Sequence, residues 1–401
     1  MYEIKNISFK NCGTGRRIFI EANSEMGFNN PYLLFIPDEL AINTLLVSPI
    51  NTGSAPLKLA EAKEKAKVEA EAEKGLSKTI AFNMKMPIIV PLFSRVRGYY
   101  THSLNSFVFN NDISNLRSMN SRLDEKDQLS EEEILEIREV NLDIPKQLLN
   151  MIVDAKKVLE QLGIIVNKKV IIEGYSATGK FSNLFTALYP EIILACISGG
   201  NCGLGIIPAD KLSNTVLNFP LGVADIPNFN LETFSNVPQL YYIGDNDYND
   251  PAMVRCNLKK DDNGELVKDE DGYFIPITDK DGKIIPVLDE NGKLQPHYSD
   301  CYTAQEIELI NTLLGANPQE RFDNQKRLYE ELGINAIFRK LPGTHKTIFQ
   351  DWKKNQTYSP EKIIEDFIYS SLEKEYQQDK KSANLWLIAN LWLVEKLVFK
   401  C

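Results

Sequence analysis

The sequence predicts an α/β fold: a mostly parallel sheet with helices on both faces and an inserted β-hairpin segment. Three observations carry that expectation. Short apolar runs such as Pro87 to Phe93 (PIIVPLF), Val170 to Ile172 and Gln239 to Ile243 alternate with stretches of helical periodicity. Strands buried on both faces and joined by crossover helices read in that way. Lys168 to Ser198 compresses the pattern into one strand–turn–helix–strand unit. Finally, Asn263-Gly264, Asp271-Gly272, Asp281-Gly282 and Asn291-Gly292 punctuate residues 257–297, and such pairs are strong two-residue hairpin signals.

Arg17 to Glu21 and Tyr32 to Ile36 read as strands around the polar turn Asn29-Asn30-Pro31. Thr44 to Val47 is the next, followed by Ser48-Pro49-Ile50-Asn51-Thr52-Gly53. Leu57 to Lys74, rich in Ala, Glu and Lys, predicts a solvated surface helix. Pro87 to Phe93 is a buried strand. Ser130 to Leu162 reads as helical with an interruption near Pro145, and Ser130 with Glu133 makes a capping-box start. Phe181, Leu184, Phe185 and Leu188 fall at i, i+3, i+4 and i+7, so a helix follows Val170 to Ile172. Pro190 closes it, and Ile192 to Ile197 is a strand. Ala304 to Leu314 and Pro318 to Leu332 predict helices, Ala336 to Leu341 the last strand and Glu361 to Leu372 a closing helix.

One domain over 1–375, carrying the 257–297 insertion as a lid or rim, is expected, with an apolar tail over 376–401. Within the tail, Ala383 to Phe399 holds Trp386 and Trp392 but is interrupted by Asn390, Glu395 and Lys396. It is too short and too polar to span a bilayer comfortably. The tail or the insertion is where a homo-oligomer contact is expected.

The 401 residues are 43% hydrophobic and 25% charged, with net charge −10, an ordinary globular composition. No Lys/Arg cluster stands out, so nucleic-acid binding is not expected. The N-terminal MYEIKNISFKNCGTG lacks an apolar core of signal-peptide length, which predicts a cytoplasmic location. The six cysteines show no C-x-x-C spacing, pointing to reduced thiols and no metal. Asp-x-Asp-Gly in the insertion lacks the full calcium-loop spacing, so hairpin turns are expected there.

The chemistry concentrates at Gly174-Tyr175-Ser176-Ala177-Thr178-Gly179. A serine on a tight strand-to-helix turn exposes its Oγ, and the helix N-terminus offers backbone donors. The usual elbow is G-x-S-x-G; here the second glycine stands one place later. The same letters nearly spell a phosphate loop, Gly174 to Lys180, but Phe181 occupies the place of the magnesium-binding Ser or Thr. A glycine-rich turn without chemistry is the third reading. The histidines are His102, His297 and His345. His345 follows a strand end and a Pro-Gly turn, after an acidic strand end at Asp245 and Asp247, giving the order Ser, Asp, His. Spacing alone leaves the acid open between the two aspartates. Oxyanion donors are expected at the Ala177 N–H and at Asn51 or Thr52.

LLVSPINTG, IIVPLFSRV followed by YTHSL, GYSATGKF, FPLGVADI, YYIGDNDYND and LPGTH occur in that order. Over about residues 15–375 the chain resembles a group of bacterial α/β-hydrolases related to esterases and polyhydroxyalkanoate-depolymerase-like proteins. The resemblance implies ester hydrolysis through a serine acyl-enzyme without a cofactor, on a small-molecule or polymeric ester. Its G-x-x-D-x-N pattern assigns the acid to Asp247. Ser94, where relatives tend to have proline, and the shifted glycine depart from the pattern and bear on substrate and oxyanion detail. The competing expectations are a catalytically silent hydrolase-fold binding protein and a P-loop nucleotide hydrolase using Lys180.

Overall fold

The computed structural model describes residues 3–9, 12–51, 53–72, 75–212, 214–269, 272, 274–280, 284–297, 301–349, 359–377 and 380. Thr52, Asp271, Asp281, Gly282 and the apolar stretch with Trp386 and Trp392 lie outside them.

The strands are β1 (Glu3–Phe9), β2 (Gly13–Ile20), β3 (Tyr32–Pro37), β4 (Leu46–Val47), β5 (Ile88–Pro91), β6 (Val170–Tyr175), β7 (Ile193–Gly199), β8 (Lys211–Leu212), β9 (Thr215–Val216), β10 (Gln239–Gly244) and β11 (Ala336–Leu341). All but β8 and β9 form one sheet in the order β1-β2-β3-β5-β4-β6-β7-β10-β11. Pairing is antiparallel from β1 through β3 to β5 and parallel from β5 to β11. This is a mostly parallel sheet with a crossover at β5-β4-β6.

The helices are α1 (Leu59–Glu71), α2 (Leu76–Asn83), α3 (Ser106–Phe109), α4 (Ser114–Asn120), α5 (Glu131–Val140), α6 (Ile144–Gln161), α7 (Ala177–Leu188), α8 (Leu231–Asn236), α9 (Ala304–Leu313) and α10 (Pro318–Glu331). A further helix covers residues 360–377. Strand side chains alternate between two cores. Leu34, Ile36 and Ile172 pack with Leu148, Met151, Phe181 and Phe185 of α6 and α7. Leu33, Phe35 and Ile171 pack on the other face with Ala66, Ile80, Phe82 and Ile364. Period-two alternation serves both layers, which is why apolar residues run without interruption through β3, β5 and β7.

One local expectation changes, one is placed more closely, and some elements go unread. The helix expected over Leu57 to Lys74 is α1, and it is not simply solvated: Leu59, Ala62, Ala66 and Ala70 form a buried stripe. Small alanines let it sit close to the sheet, and composition alone hides them among Glu and Lys. The break between α5 and α6 falls before Pro145, which occupies the first turn of α6, where a missing N–H costs nothing. The short elements α2, α3, α4 and α8, and the edge strand β1, carry periodicity too weak to be read from sequence.

The insertion is a nested series of isolated bridges rather than extended strands. Val254 faces Pro296, Cys256 faces Pro286 and Leu258 faces Pro276, with Lys260–Leu266, Lys268–Phe274 and Thr278–Ile284 inside. Prolines have no ladder donor, so the pairing cannot lengthen there. Its turns are self-satisfied: Asp261 Oδ1 accepts from the Asn263 and Glu265 N–H groups, each at 2.9 Å, while Gly264 and Gly292 adopt φ of 85° and 73°.

A buried ion pair ties the loop after β10 to α10. Arg321 Nη1 lies 2.6 Å from Asp250 Oδ1, both side chains almost fully buried, and its remaining nitrogens donate to Gly315 O at 2.8 Å and Asn311 Oδ1 at 2.9 Å. Arg321→Met strands the Asp250 charge in the interior, an arrangement that costs about 3–5 kcal/mol. Denaturant unfolding is expected to show that loss, and Arg321→Met/Asp250→Leu to recover most of it.

Candidate active site

Ser176 joins β6 to α7 with φ of 62° and ψ of −125°, a backbone state that a non-glycine residue holds only under compulsion. Its neighbours supply the compulsion. Ser176 N donates to Gly199 O at 2.8 Å, and Ser176 O accepts from Lys180 N at 3.1 Å. A Cβ on Gly174 would strike the Thr178 carbonyl, one on Gly179 the Gly199 carbonyl oxygen, and one on Gly199 the Tyr242 ring. The second glycine of the elbow therefore belongs at 179, where α7 crosses β7. Thr178, in the place of the usual glycine, fastens the turn: its hydroxyl accepts from Tyr175 N at 3.1 Å and donates to Tyr175 O at 2.9 Å.

His345 follows β11. Its Nε2 stands 2.9 Å from Ser176 Oγ and its Nδ1 2.7 Å from Asp247 Oδ2. The carboxylate accepts a hydrogen bond from Nδ1–H, which leaves the Nε2 lone pair facing the serine hydroxyl. Asp247 is fully buried. Its Oδ1 accepts from Asn249 N at 3.0 Å, and Gln319 Nε2 pins the loop by donating to Gly244 O at 2.7 Å and Asp247 O at 3.0 Å. Asp245 turns away and accepts from Gly343 N at 2.9 Å. Of the two aspartates that spacing leaves open, Asp247 is the one beside the imidazole.

Ala177 is the first residue of α7, so its N–H is among those a helix leaves without an intrahelical acceptor. Asn51 sits at the same turn, Nδ2 donating to Tyr175 O at 3.2 Å; Thr52 falls outside the described residues. His102 is fully buried, its Nε2 3.0 Å from Phe93 O, and burial with Arg95 nearby pushes its pKa well below the usual value. His297 lines a cavity with other residues of the insertion. The phosphate-loop alternative meets an obstacle. Lys180 is buried, donates to the Tyr302 hydroxyl and lies 3.9 Å from the centre of that ring, while Phe181 stacks on Phe93 in the core. The Lys180 ammonium is thus engaged by Tyr302.

Sequence reasoning passed over four neighbours. Asn249 Nδ2 lies 3.2 Å from His345 Nε2; its motif was visible, its role was not. Tyr175 donates its hydroxyl to His345 O at 2.7 Å. Gln319, on a helix distant in sequence, leaves no signal. Glu173 does: it is a charged residue in an apolar strand, three places before Ser176.

Glu173 is fully buried and accepts from the hydroxyls of Ser77 and of Ser48, the latter at 3.3 Å, while its Oε1 has no partner among the described residues. With Ser48, Asn51, Glu69 and Lys78 it lines a cavity of 210 Å³ behind the segment expected to supply the second oxyanion donor. Burial pushes its pKa up to about 7. The folded state therefore holds this proton more tightly than the unfolded chain does, so rising pH destabilises the fold between the ordinary carboxyl value and about 7. The loss amounts to about 3 kcal/mol. Glu173→Gln mimics the protonated form. Unfolding measured at about pH 5 and about pH 8 is expected to show the wild type losing stability relative to the variant.

A larger cavity, 510 Å³, lies between the segment after β10, the start of α10 and the insertion.

No protein-family profile matches the chain, and no curated protein matches it in sequence. Among solved structures it is similar to poly(aspartic acid) hydrolase-1 from Sphingomonas sp. KT-1, with 13% identity, TM-score 0.41, 86% of this chain and 93% of that one covered. LpqC, a poly(3-hydroxybutyrate) depolymerase from Bordetella parapertussis, overlaps with 11% identity, TM-score 0.39, and 86% and 90% coverage. A fluorophosphonate-binding serine hydrolase from Staphylococcus aureus overlaps with 10% identity, TM-score 0.33, and 86% and 96% coverage. At these values the overlaps say nothing about substrate.

Proposed function

We propose that this chain is a serine hydrolase acting on carboxylic esters, with Ser176 as nucleophile, His345 as general base and Asp247 as its partner. The observation that supports the reading most is the unbroken hydrogen-bonded line from Ser176 Oγ through His345 to buried Asp247, at 2.9 Å and 2.7 Å, on a strained elbow.

In that reading His345 Nε2 removes the Ser176 proton as Oγ attacks the ester carbonyl carbon. Asp247 holds the imidazole in the needed tautomer and stabilises its cation. The tetrahedral oxyanion takes the Ala177 N–H and a second donor from the segment at Asn51. Collapse expels the alcohol, which takes its proton from Nε2, and water then releases the acyl group by the same path. The chemistry calls for no cofactor. The insertion acts as a rim that sets access, while the sheet holds the reacting groups.

Ser176→Ala and His345→Ala are each expected to lower kcat by roughly four or more orders of magnitude while leaving the circular dichroism of the folded protein unchanged. Asp247→Asn should cost roughly four orders through the wrong tautomer, and Asp245→Asn far less. Kinetics on a small activated ester check both. Undiminished turnover by folded Ser176→Ala contradicts the reading. Replacing residues 257–297 with a short linker is expected to leave a folded enzyme with an altered ester profile; an unaltered profile in a folded variant would remove the rim from the account.

A further inference from the structure

We infer that the 510 Å³ cavity under the insertion receives the alcohol half of the ester, and that this half is apolar and carries no negative charge. The assignment rests on the serine-hydrolase reading above.

The cavity has the size of a small-molecule site. One wall is Asn249 and Met253 after β10 with Pro318 at the start of α10; the other is Phe274, Ile275 and Ile284 of the insertion. Asn249 connects it to the reacting groups, because the residue that lines the cavity also carries an amide nitrogen 3.2 Å from His345 Nε2.

That connection decides which half of the substrate enters. During acylation the Ser176 Oγ–carbon bond forms and the bond from that carbon to the alkoxy oxygen breaks. The electron pair leaves on the alkoxy oxygen, which takes the proton that Nε2 received from Ser176. The departing oxygen must therefore lie within hydrogen-bond reach of Nε2, whereas the carbonyl oxygen turns toward the Ala177 N–H. The cavity bordered by Asn249, whose amide nitrogen stands at Nε2, is therefore assigned to the alcohol side.

The charges of the walls choose the alcohol. Asp250 is matched by Arg321 at 2.6 Å. Burial and Arg255 push the His297 pKa below its usual value, so at neutral pH it adds no cation. Asp269 also lines the cavity, and no Lys or Arg does among its described lining residues. An anionic alcohol would lie against the Asp269 side of the wall with no Lys or Arg among the described lining residues. Met253, Phe274, Ile275 and Ile284 instead offer apolar contact to an alkyl or aryl group.

Two substrate series test this: acetates of straight-chain alcohols from methyl to octyl, and ethyl esters of acids from acetic to octanoic. In the wild type, kcat/KM is expected to climb along the alcohol series, by up to roughly fourfold per buried methylene, and to change little along the acyl series. Ile284→Trp and Met253→Trp fill the cavity from opposite walls. Each is expected to lower the hexyl-to-methyl acetate ratio of kcat/KM by about tenfold or more. A climb along the acyl series alone overturns the assignment whether or not either variant folds, and so does a wild-type ratio in both folded variants. Ser176→Ala in the same assay separates the two levels. Undiminished hydrolysis there, or none by the wild type in either series, sinks the serine-hydrolase reading. A wild type that needs Ser176 but ignores alcohol length sinks only the cavity assignment.

Discussion

The structure depends on one constraint: Ser176 must hold a positive φ at the end of a buried parallel strand. Such a state costs on the order of 1–3 kcal/mol, and the surrounding packing has to impose it. Gly174 and Gly179 bring β6, α7 and β7 so close, and Gly199 brings β7 so close to the Tyr242 ring of β10, that each refuses a side chain. The bond from Ser176 N to Gly199 O at 2.8 Å fixes the turn from below. Only with that much compression does the hydroxyl project from the carboxyl edge of the sheet, where the loops after β10 and β11 can meet it.

Those loops are held by different means. Gln319 takes the backbone of the acid loop through two carbonyls, and Arg321 takes Asp250 through a buried charge pair. Both come from α10, so one helix outside the sheet sets the height of Asp247. His345 is steadied from the other side by Tyr175, whose hydroxyl takes its carbonyl and whose ring lies 5.0 Å from the imidazole. The elbow residue before the serine thus also places the histidine. A line of hydrogen bonds that rests on three separate elements is exact only while all three are packed.

The sheet was legible because its strands are buried on both faces and so read as continuous apolar runs, as in PIIVPLF and QLYYI. Ser176 and His345 were legible because a turn residue flanked by glycines and a histidine after Pro-Gly stand at strand ends. The choice between Asp245 and Asp247 was not readable from spacing, since two aspartates two places apart in a loop differ only in which one the chain turns inward. Thr178 shows the same limit: sequence read the displaced glycine as a weakened elbow, whereas the threonine hydroxyl closes the turn. Asn249 and Gln319 act through geometry assembled from distant parts of the chain. The Pro-bounded insertion keeps its turns at Asn263-Gly264 and Asn291-Gly292 but not its strands, because Pro276, Pro286 and Pro296 remove ladder donors that alternation alone implies.

The central claim is that Ser176 is an activated nucleophile, and a small fluorophosphonate tests it directly. The intact protein would be treated near neutral pH, digested, and its peptides mapped by mass spectrometry. The account expects one stoichiometric phosphonyl adduct, on Ser176, that fails to form in His345→Ala although that variant is folded. An adduct on another residue, or a folded wild type that takes up no label, would contradict it.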